Sequence, residues 1–308
     1  MCRVLAYLGA PAIVDDLLYR GDVSLVRQAT DSRLMDLLNL GGFGLAAWDP
    51  RSPEPSRPFT YRTAGVPMFD RNLKALSEKV QAQALVAHVR GVIYDPSERV
   101  GLQNVHPFLF DGAAFAMAQN GDLYDFERMR YDLLEHIPRD LIANVEGTTD
   151  TEWVYALTLA QLDDPMGPCT AQDMADATRE ALRIIRDVRE QRGIQTQSPI
   201  NLVLTDGRSL VATRYVFDYG WYPDDGSFFA GEREHDFTTL WYTAGSGYGK
   251  ADGEWRMGTN GATTSVLVAS EPLSEDTSTW MRAPEYTMLV AEPDRHGVID
   301  ISLQEIIL

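Results

Sequence analysis

The second residue of the chain, Cys2, stands where a thiol could act as a nucleophile. Removal of the initiator methionine is favoured when the next side chain is small, and it would leave a thiol and a free α-amine on one residue. The α-amine has a reference pKa of roughly 7.7–8.0, so much of it can accept a proton near neutral pH. A thiol beside its own base is an activated nucleophile that needs no separate histidine. Alternatively, Cys2 packs as a small apolar residue in a strand.

Four further runs of residues favour the interpretation of Cys2 as a nucleophile. They are LVAHVRG (Leu85–Gly91), NVHPF (Asn104–Phe108), AQNGDL (Ala118–Leu123) and GTTDTEW (Gly147–Trp153), in that order. Together with Cys2 they resemble the class II glutamine amidotransferase domain, whose members are N-terminal nucleophile hydrolases. The later runs NLVLTDGRSLVATRY (Asn201–Tyr215) and VLVASEPL, the latter followed by Trp280 and Pro284, are similar to stand-alone members that act on glutamine or other γ-glutamyl amides. The resemblance therefore spans nearly the whole chain.

The resemblance implies roles for four residues besides Cys2. Asn120 and Gly121 would donate a side-chain amide and a backbone N–H to the oxyanion of an attacked γ-amide; alone, an Asn-Gly pair also fits a hairpin turn. Arg90 would bind the substrate α-carboxylate with its planar guanidinium, a surface salt bridge being the alternative. Asp150 would pair with the substrate α-ammonium, and it also fits an ordinary helix N-cap. Catalysis of this kind requires no metal and no organic cofactor.

Two positions depart from the family pattern. Many members carry a threonine shortly after the arginine, where it helps to hold the substrate carboxylate, but here the run is RGVIY (Arg90–Tyr94). Gln119 precedes the Asn-Gly pair where histidine is frequent. Both departures leave the nucleophile and the oxyanion hole intact, but they weaken the expectation that free glutamine is the preferred substrate. His88 and His106 are interpreted as structural residues rather than as partners of Cys2.

The elements that must position these residues follow from hydrophobic patterning. Strand-like runs are Cys2–Leu8, Phe43–Trp48, Ala84–Arg90, Ala113–Gln119, Asn201–Thr205, Ser209–Tyr215, Leu240–Thr243, Ser265–Ser270, Tyr286–Ala291 and Val298–Ile301. Helical spacing predicts helices over Asp150–Leu162 and Ala171–Arg192. Strands, then helices, then strands, without regular βαβ alternation, indicate an α+β architecture with mainly antiparallel sheets. The resemblance implies the four-layer αββα sandwich of N-terminal nucleophile hydrolases, and we predict one domain over residues 1–308.

Composition excludes several other classes of protein. The net charge is −18, and a surface this acidic disfavours nucleic acid, which is bound by clustered Lys and Arg. No apolar run approaches the roughly 20 residues that span a bilayer, and the N-terminus lacks a signal-peptide pattern. Two cysteines imply no disulfide framework. We therefore expect a cytoplasmic protein with no membrane partner.

The segment Phe217–Phe237 is rich in aromatic residues, Gly and Asp. It is interpreted either as a surface insertion that packs on itself or as a wall bordering a pocket. Aromatic walls suit an extended, partly apolar leaving group.

Three functions are compatible with these observations. The chain could be a stand-alone amidohydrolase that cleaves γ-glutamyl amides, similar to relatives in the ergothioneine pathway and in glutathione degradation. It could instead be a glutaminase subunit that supplies ammonia to a synthase, which would then be a separate partner chain because the resemblance leaves no room for a fused one. The third possibility is a non-catalytic binding protein with the same fold, and intact Cys2, Arg90, Asn120, Gly121 and Asp150 argue against it.

Overall fold

The computed structural model describes residues 2–34, 38–92, 100–221 and 238–308. The strands are β1 (Arg3–Ile13), β2 (Phe43–Trp48), β3 (Phe59–Thr63), β4 (Gln81–Val89), β5 (Ala116–Gly121), β6 (Ser198–Thr205), β7 (Leu210–Arg214), β8 (Val216–Phe217), β9 (Trp241–Gly245), β10 (Tyr248–Ala251), β11 (Glu254–Met257), β12 (Ser265–Ala269), β13 (Met281–Arg282), β14 (Thr287–Pro293) and β15 (Ile299–Glu305). The helices are α1 (Val14–Leu18), α2 (Arg71–Ser77), α3 (Phe126–Leu134), α4 (Arg139–Ile142), α5 (Asp150–Leu159) and α6 (Ala171–Arg192).

Most of these strands form two antiparallel sheets. The first sheet has the order β13-β9-β12-β1-β4-β2-β3, and the second has the order β15-β14-β7-β6-β5 with β8 paired to β6. β1, the longest strand of the first sheet, lies between β12 and β4. A separate two-stranded ribbon consists of β10 and β11.

Three apolar layers hold the sheets and helices together. The layer between the two sheets is filled by small and branched side chains such as Val4, Ala46, Val86, Ala118 and Val268. A second layer packs α1 and α2 on the outer face of the first sheet, through Leu17, Leu18 and Leu73. The third packs α3–α6 on the outer face of the second sheet. The four-layer αββα sandwich predicted from the resemblance is therefore confirmed.

The sequence of α6 contains the signals that fix its two ends. Thr170 and Asp173 form a reciprocal capping box at its N-terminus. Gly193 ends it in the left-handed conformation, at a φ of 63°. Ala171–Arg192 was predicted with these bounds, and the predicted Asp150–Leu162 helix ends three residues earlier, as α5.

Alternation along the strands brings the polar residues of interest to one end of the layer between the sheets. Val4 in β1, Val86 in β4, Ala118 in β5 and Val268 in β12 all face that layer. Because side chains alternate with a period of two, Cys2, Arg90, Asn120 and Ser270 belong to the same faces. The register pairs Arg3 with Val89 and Leu5 with Ala269, which places Cys2 beside Arg90 and Val4 beside Ser270.

Several elements were not predicted. They are β3, β8, β10, β11, β13 and the helices α1–α4, all of seven residues or fewer except α3, which has nine. Short elements give few repeats of a periodic pattern, and their existence here depends on tertiary pairing. The predicted Ala113–Gln119 strand begins three residues later and ends two residues later, as β5, which brings Asn120 and Gly121 into the sheet. The single-domain interpretation stays a prediction.

Candidate active site

Cys2 lies immediately before β1 and is largely buried, with 9% of its surface exposed. Its Sγ accepts a hydrogen bond from the Gly91 N–H at 3.3 Å and faces the Gly91 carbonyl at 3.7 Å. Burial raises the pKa of the Cys2 thiol, while the Gly91 N–H and the charge of Arg90 oppose that rise. The thiol is therefore sheltered from water and held by backbone polar groups.

Arg90 follows the last residue of β4 and is 6% exposed, so it is not a surface side chain. Its backbone is fixed on both sides, since its N–H donates to Gly42 O and its carbonyl accepts from the Gly41 N–H, each at 2.8 Å. A Cβ at Gly41 would lie 3.2 Å from Arg90 Cγ and 2.7 Å from Val92 Cγ1. Glycine at position 41 therefore lets the chain pass close to the Arg90 side chain.

Asn120 and Gly121 are the last two residues of β5 and pair with Asn201 and Ile200 of β6. The hairpin-turn alternative for this pair is therefore wrong. Gly121 has a φ of 149°, and a Cβ there would overlap the Pro199 carbonyl, so only glycine fits. The Asn120 side chain is fully buried and its Nδ2 donates to Ser270 Oγ at 2.9 Å.

Asp150 is the first residue of α5, whose N-cap is Thr149. Its Oδ2 accepts from the Leu123 N–H at 2.8 Å and from Gln119 Nε2 at 3.0 Å. Its Oδ1 accepts from the Thr151 N–H at 2.7 Å and from the Thr151 hydroxyl at 3.3 Å. Burial raises the pKa of the Asp150 carboxyl, and its charge in turn raises the pKa of Cys2.

Two other motif residues hold the segment that leads into α5. Asn104 accepts from the Thr148 N–H at 2.8 Å and donates to the Thr148 hydroxyl at 2.9 Å. Glu152 accepts from the backbone N–H groups of Glu146 and Gly147. These bonds join the NVHPF and GTTDTEW runs, and they fix where Asp150 begins its helix.

His88 and His106 stack with their ring centroids 4.1 Å apart, and both are buried. Burial lowers the pKa of His88 to about 3 and that of His106 well below its usual range, and the Arg90 charge adds to both effects. His106 Nδ1 accepts from the Gln119 N–H at 3.4 Å. Both rings are therefore neutral, and the hydrogen bonds of Cys2 run to Gly91 rather than to either ring.

The structure places Arg90 beside Cys2 in the register of β1 and β4, and Ser270 joins Asn120 to β1, two residues from Cys2. Gly121 follows Asn120 at the end of β5, and Asp150 is bonded by Gln119, the residue before Asn120. Ser270 was not predicted as a site residue, although it lies in the VLVASEPL run. Gln119 was predicted only as a departure from the family pattern, whereas its side chain bonds the Asp150 carboxylate.

The segment Phe217–Phe237 is only partly described. Residues 222–237 lie outside the described residues, and they include Tyr222, Phe228 and Phe229. Phe217 pairs with Ser198, two residues along β6 from the partner of Gly121. Tyr219 and Trp221 follow and are 48% and 62% exposed. The described start of the segment therefore lies near the Asn-Gly end of β5.

Within the described ranges, no cluster of three or more His, Cys, Asp or Glu side chains is arranged to hold a metal ion. No helix of the described residues is long and apolar enough to cross a bilayer.

Known proteins are similar to this chain in sequence and in fold. The family model described as glutamine amidotransferases class-II matches residues 66–219, half of the chain. That match includes Arg90, Asn120, Gly121 and Asp150, whereas Cys2 precedes it. A yeast protein, "Probable glutamine amidotransferase DUG3" of Saccharomyces cerevisiae, is 28% identical over 329 aligned positions, which cover 99% of this chain and 86% of the relative.

Solved structures share the fold at low identity. A glutamine aminotransferase class-II domain protein from Silicibacter pomeroyi superposes with a TM-score of 0.61 at 19% identity, over the full length of both chains. Glutamine phosphoribosylpyrophosphate amidotransferase from B. subtilis, solved with ADP and GMP, gives 0.59 at 15% identity. The chain spans 50% of that enzyme's length.

Proposed function

The chain belongs to the class II glutamine amidotransferases, an enzyme family that hydrolyses the glutamine amide, and from this premise we propose that it cleaves γ-glutamyl amides through a thioester on Cys2. The observation that carries the proposal is the placement of Arg90 beside the buried Cys2 in the register of β1 and β4, with Asn120 tied to β1 through Ser270. Arg90 suits the α-carboxylate of a γ-glutamyl substrate, Asp150 suits its α-ammonium group, and Asn120 suits the oxyanion that forms at its γ-amide. The non-catalytic alternative is set aside on family membership.

The proposed reaction begins with proton transfer from the Cys2 thiol to the Cys2 α-amine, which is free once Met1 has been removed. Sγ adds to the substrate Cδ, and the C=O electron pair moves onto oxygen. Asn120 Nδ2 and the Gly121 N–H stabilise that oxyanion. Collapse breaks the C–N bond, and the α-ammonium returns its proton to the leaving amine.

Hydrolysis of the resulting thioester completes the cycle. The α-amine takes a proton from water, the hydroxide oxygen adds to Cδ, and the C–S bond breaks. Glutamate leaves and Sγ recovers its proton from the α-ammonium. The second half therefore uses the same base and the same oxyanion donors as the first.

The substrate head would be recognised by its two opposite charges. The Arg90 guanidinium suits the α-carboxylate, and Asp150 suits the α-ammonium. Asp150 already accepts four hydrogen bonds, of which the Thr151 hydroxyl at 3.3 Å is the longest. An incoming ammonium would replace that bond at the lowest cost, because the shorter bonds fix the carboxylate in place.

The leaving group is proposed to be an amine larger than ammonia. The threonine that helps many relatives to hold free glutamine is missing from RGVIY (Arg90–Tyr94). The exposed rings of Tyr219 and Trp221 add apolar surface that ammonia would not use.

The expectation of a cytoplasmic location stays a prediction.

A second candidate is an ammonia-supplying subunit. The B. subtilis amidotransferase with the same fold is about twice the length of this chain. In this version the remaining reaction would belong to a separate partner protein. The isolated chain would then hydrolyse glutamine in preference to larger amides.

Glutamate release from glutamine and from a panel of γ-glutamyl amides tests the proposal. We expect turnover by the wild-type chain, none by Cys2→Ala, and undiminished turnover by the matched control Cys169→Ala. Burial raises the pKa of Cys169 to about 12, so little of that thiol is present as the nucleophilic thiolate near neutral pH. Undiminished turnover by a folded Cys2→Ala variant would overturn the assignment of the nucleophile.

A further inference from the structure

Ser270 directly links the strand that carries Cys2 to the strand that carries Asn120. Its N–H donates to Val4 O and its hydroxyl accepts from the Val4 N–H, both at 3.0 Å. Val4 lies two residues from Cys2 in β1. On its other side, the hydroxyl meets the Asn120 amide at 2.9 Å across the layer between the sheets.

Ser270 is itself held firmly. It follows the last residue of β12 and is 2% exposed. Its carbonyl accepts from the Thr239 hydroxyl at 2.7 Å. With its N–H, carbonyl and hydroxyl all bonded, it offers the Asn120 side chain a fixed partner.

The hydrogen-bond donors and acceptors of Ser270 and Asn120 indicate how Ser270 could orient the amide. As it stands, the Ser270 hydroxyl accepts two bonds, and among the described residues Asn120 Oδ1 is buried with no donor. Rotating the amide by 180° about χ2 exchanges its oxygen and nitrogen. The Ser270 hydroxyl then donates its proton to Asn120 Oδ1 while it still accepts from the Val4 N–H. The hydroxyl and Oδ1 thus both have hydrogen-bond partners. Both amide hydrogens become available to a ligand.

We propose that Ser270 is a positioning residue that orients the Asn120 amide relative to Cys2. By holding the carbonyl end, it would direct the NH₂ group to the oxyanion. Because the same hydroxyl is tied to Val4, the amide and the nucleophile keep a fixed spacing although they lie on different sheets. The inference rests on the proposed function and adds a residue outside its chemistry.

Steady-state kinetics of Ser270→Ala test the proposal. We expect kcat to fall about tenfold or more with KM little changed, a smaller loss than the ~100–1,000-fold typical of a removed oxyanion donor. Iodoacetamide alkylates Cys2 without forming an oxyanion. The rate of this alkylation should therefore be the same in Ser270→Ala as in the wild-type chain. A Ser270→Ala enzyme that is folded and keeps its kcat would overturn the proposal.

A double-mutant cycle separates positioning from general structure. If Ser270 acts through Asn120, then Ser270→Ala should cause no further loss of kcat in an Asn120→Ala background. Losses that multiply in the double variant would overturn the proposal. Ser265→Ala is the matched control, because Ser265 is also buried on β12 and bonds the Tyr7 hydroxyl at 3.0 Å. It lies about 16 Å along the strand, and its loss should leave kcat unchanged.

Ser270→Thr retains the hydroxyl and serves if the alanine variant does not fold. It should keep kcat within about threefold of wild type, and a folded Ser270→Thr enzyme as impaired as Asn120→Ala would count against the proposal. Wild type and Cys2→Ala are assayed in parallel. Turnover that is unaffected by Cys2→Ala would overturn the proposed function. Turnover that requires Cys2 but is unaffected by Ser270→Ala would overturn only this inference.

Discussion

At the scale of single residues, the charges of the site are divided between Arg90 and Asp150. A hydrogen bond to a charged group contributes about 1.5–3 kcal/mol, so losing one should weaken substrate binding about 10–100-fold. We expect Asp150→Asn and Arg90→Lys to raise KM by this amount, with a smaller change in kcat. Arg90→Lys is informative because it keeps the positive charge but loses the planar guanidinium, which can form two parallel hydrogen bonds to a carboxylate.

The complementary test concerns Asn120. Its amide is proposed to act only when negative charge develops on the substrate oxygen, so Asn120→Ala should lower kcat by ~100–1,000-fold. KM should change little. An Asn120→Ala variant that changes KM alone would contradict its role as an oxyanion donor, and Asn201→Ala, on the paired strand, serves as a buried-amide control.

At the scale of elements, strand alternation made much of the site predictable. Cys2, Arg90 and Asn120 were assigned from motifs, and the period-two pattern of β1, β4 and β5 accounts for their common face. The contact between Asn120 and Ser270 could not be predicted, because it crosses from one sheet to the other over 150 residues of sequence. Ribbons such as β10–β11 were missed for a related reason, since pairing rather than local pattern defines them.

The stacked pair His88 and His106 predicts a pH dependence of stability. Their folded-state pKa values are lowered by burial, that of His88 to about 3, so the unfolded chain binds more protons below roughly pH 6.5. The free energy of unfolding should therefore fall as the pH drops from about 6.5 toward 3. His88 contributes about 1.4 kcal/mol per pH unit in that window, and the lowered pKa of His106 acts in the same direction.

Thermal unfolding between pH 7.5 and pH 5 measures this effect. His88→Asn should flatten the dependence even if it lowers stability at neutral pH, because one titrating group is removed. His296→Asn, at an exposed position between β14 and β15, should leave the slope unchanged. Equal slopes in wild type and His88→Asn would contradict neutral burial of this ring.

At the scale of the whole molecule, the exposed rings of Tyr219 and Trp221 are proposed to contact the amine that leaves the γ-glutamyl head. Trp221 is exposed, and its backbone is fixed because its carbonyl accepts from the Gln197 N–H at 2.6 Å. If its ring contacts the leaving group, Trp221→Ala should lower kcat/KM about tenfold for amides of large amines and leave glutamine unaffected. Phe69→Ala is the matched control, since Phe69 is 78% exposed and lies just before α2 on the opposite outer layer.

A different result would favour the ammonia-supplying function. If glutamine is the best substrate of both wild type and Trp221→Ala, the exposed rings do not select the leaving group. A pull-down from the native host would then be expected to recover a synthase partner, with the rings as part of its docking surface.

The central claim is that Cys2, as the N-terminal residue of the working enzyme, carries the acyl group. Intact-mass and peptide mass spectrometry of active protein treated with a glutamine-like diazo-ketone test it most directly. We expect a chain that lacks Met1, with one label per chain on Cys2, and loss of turnover in proportion to labelling. Full activity in a chain that retains Met1, or inactivation that follows labelling of Cys169, would contradict it.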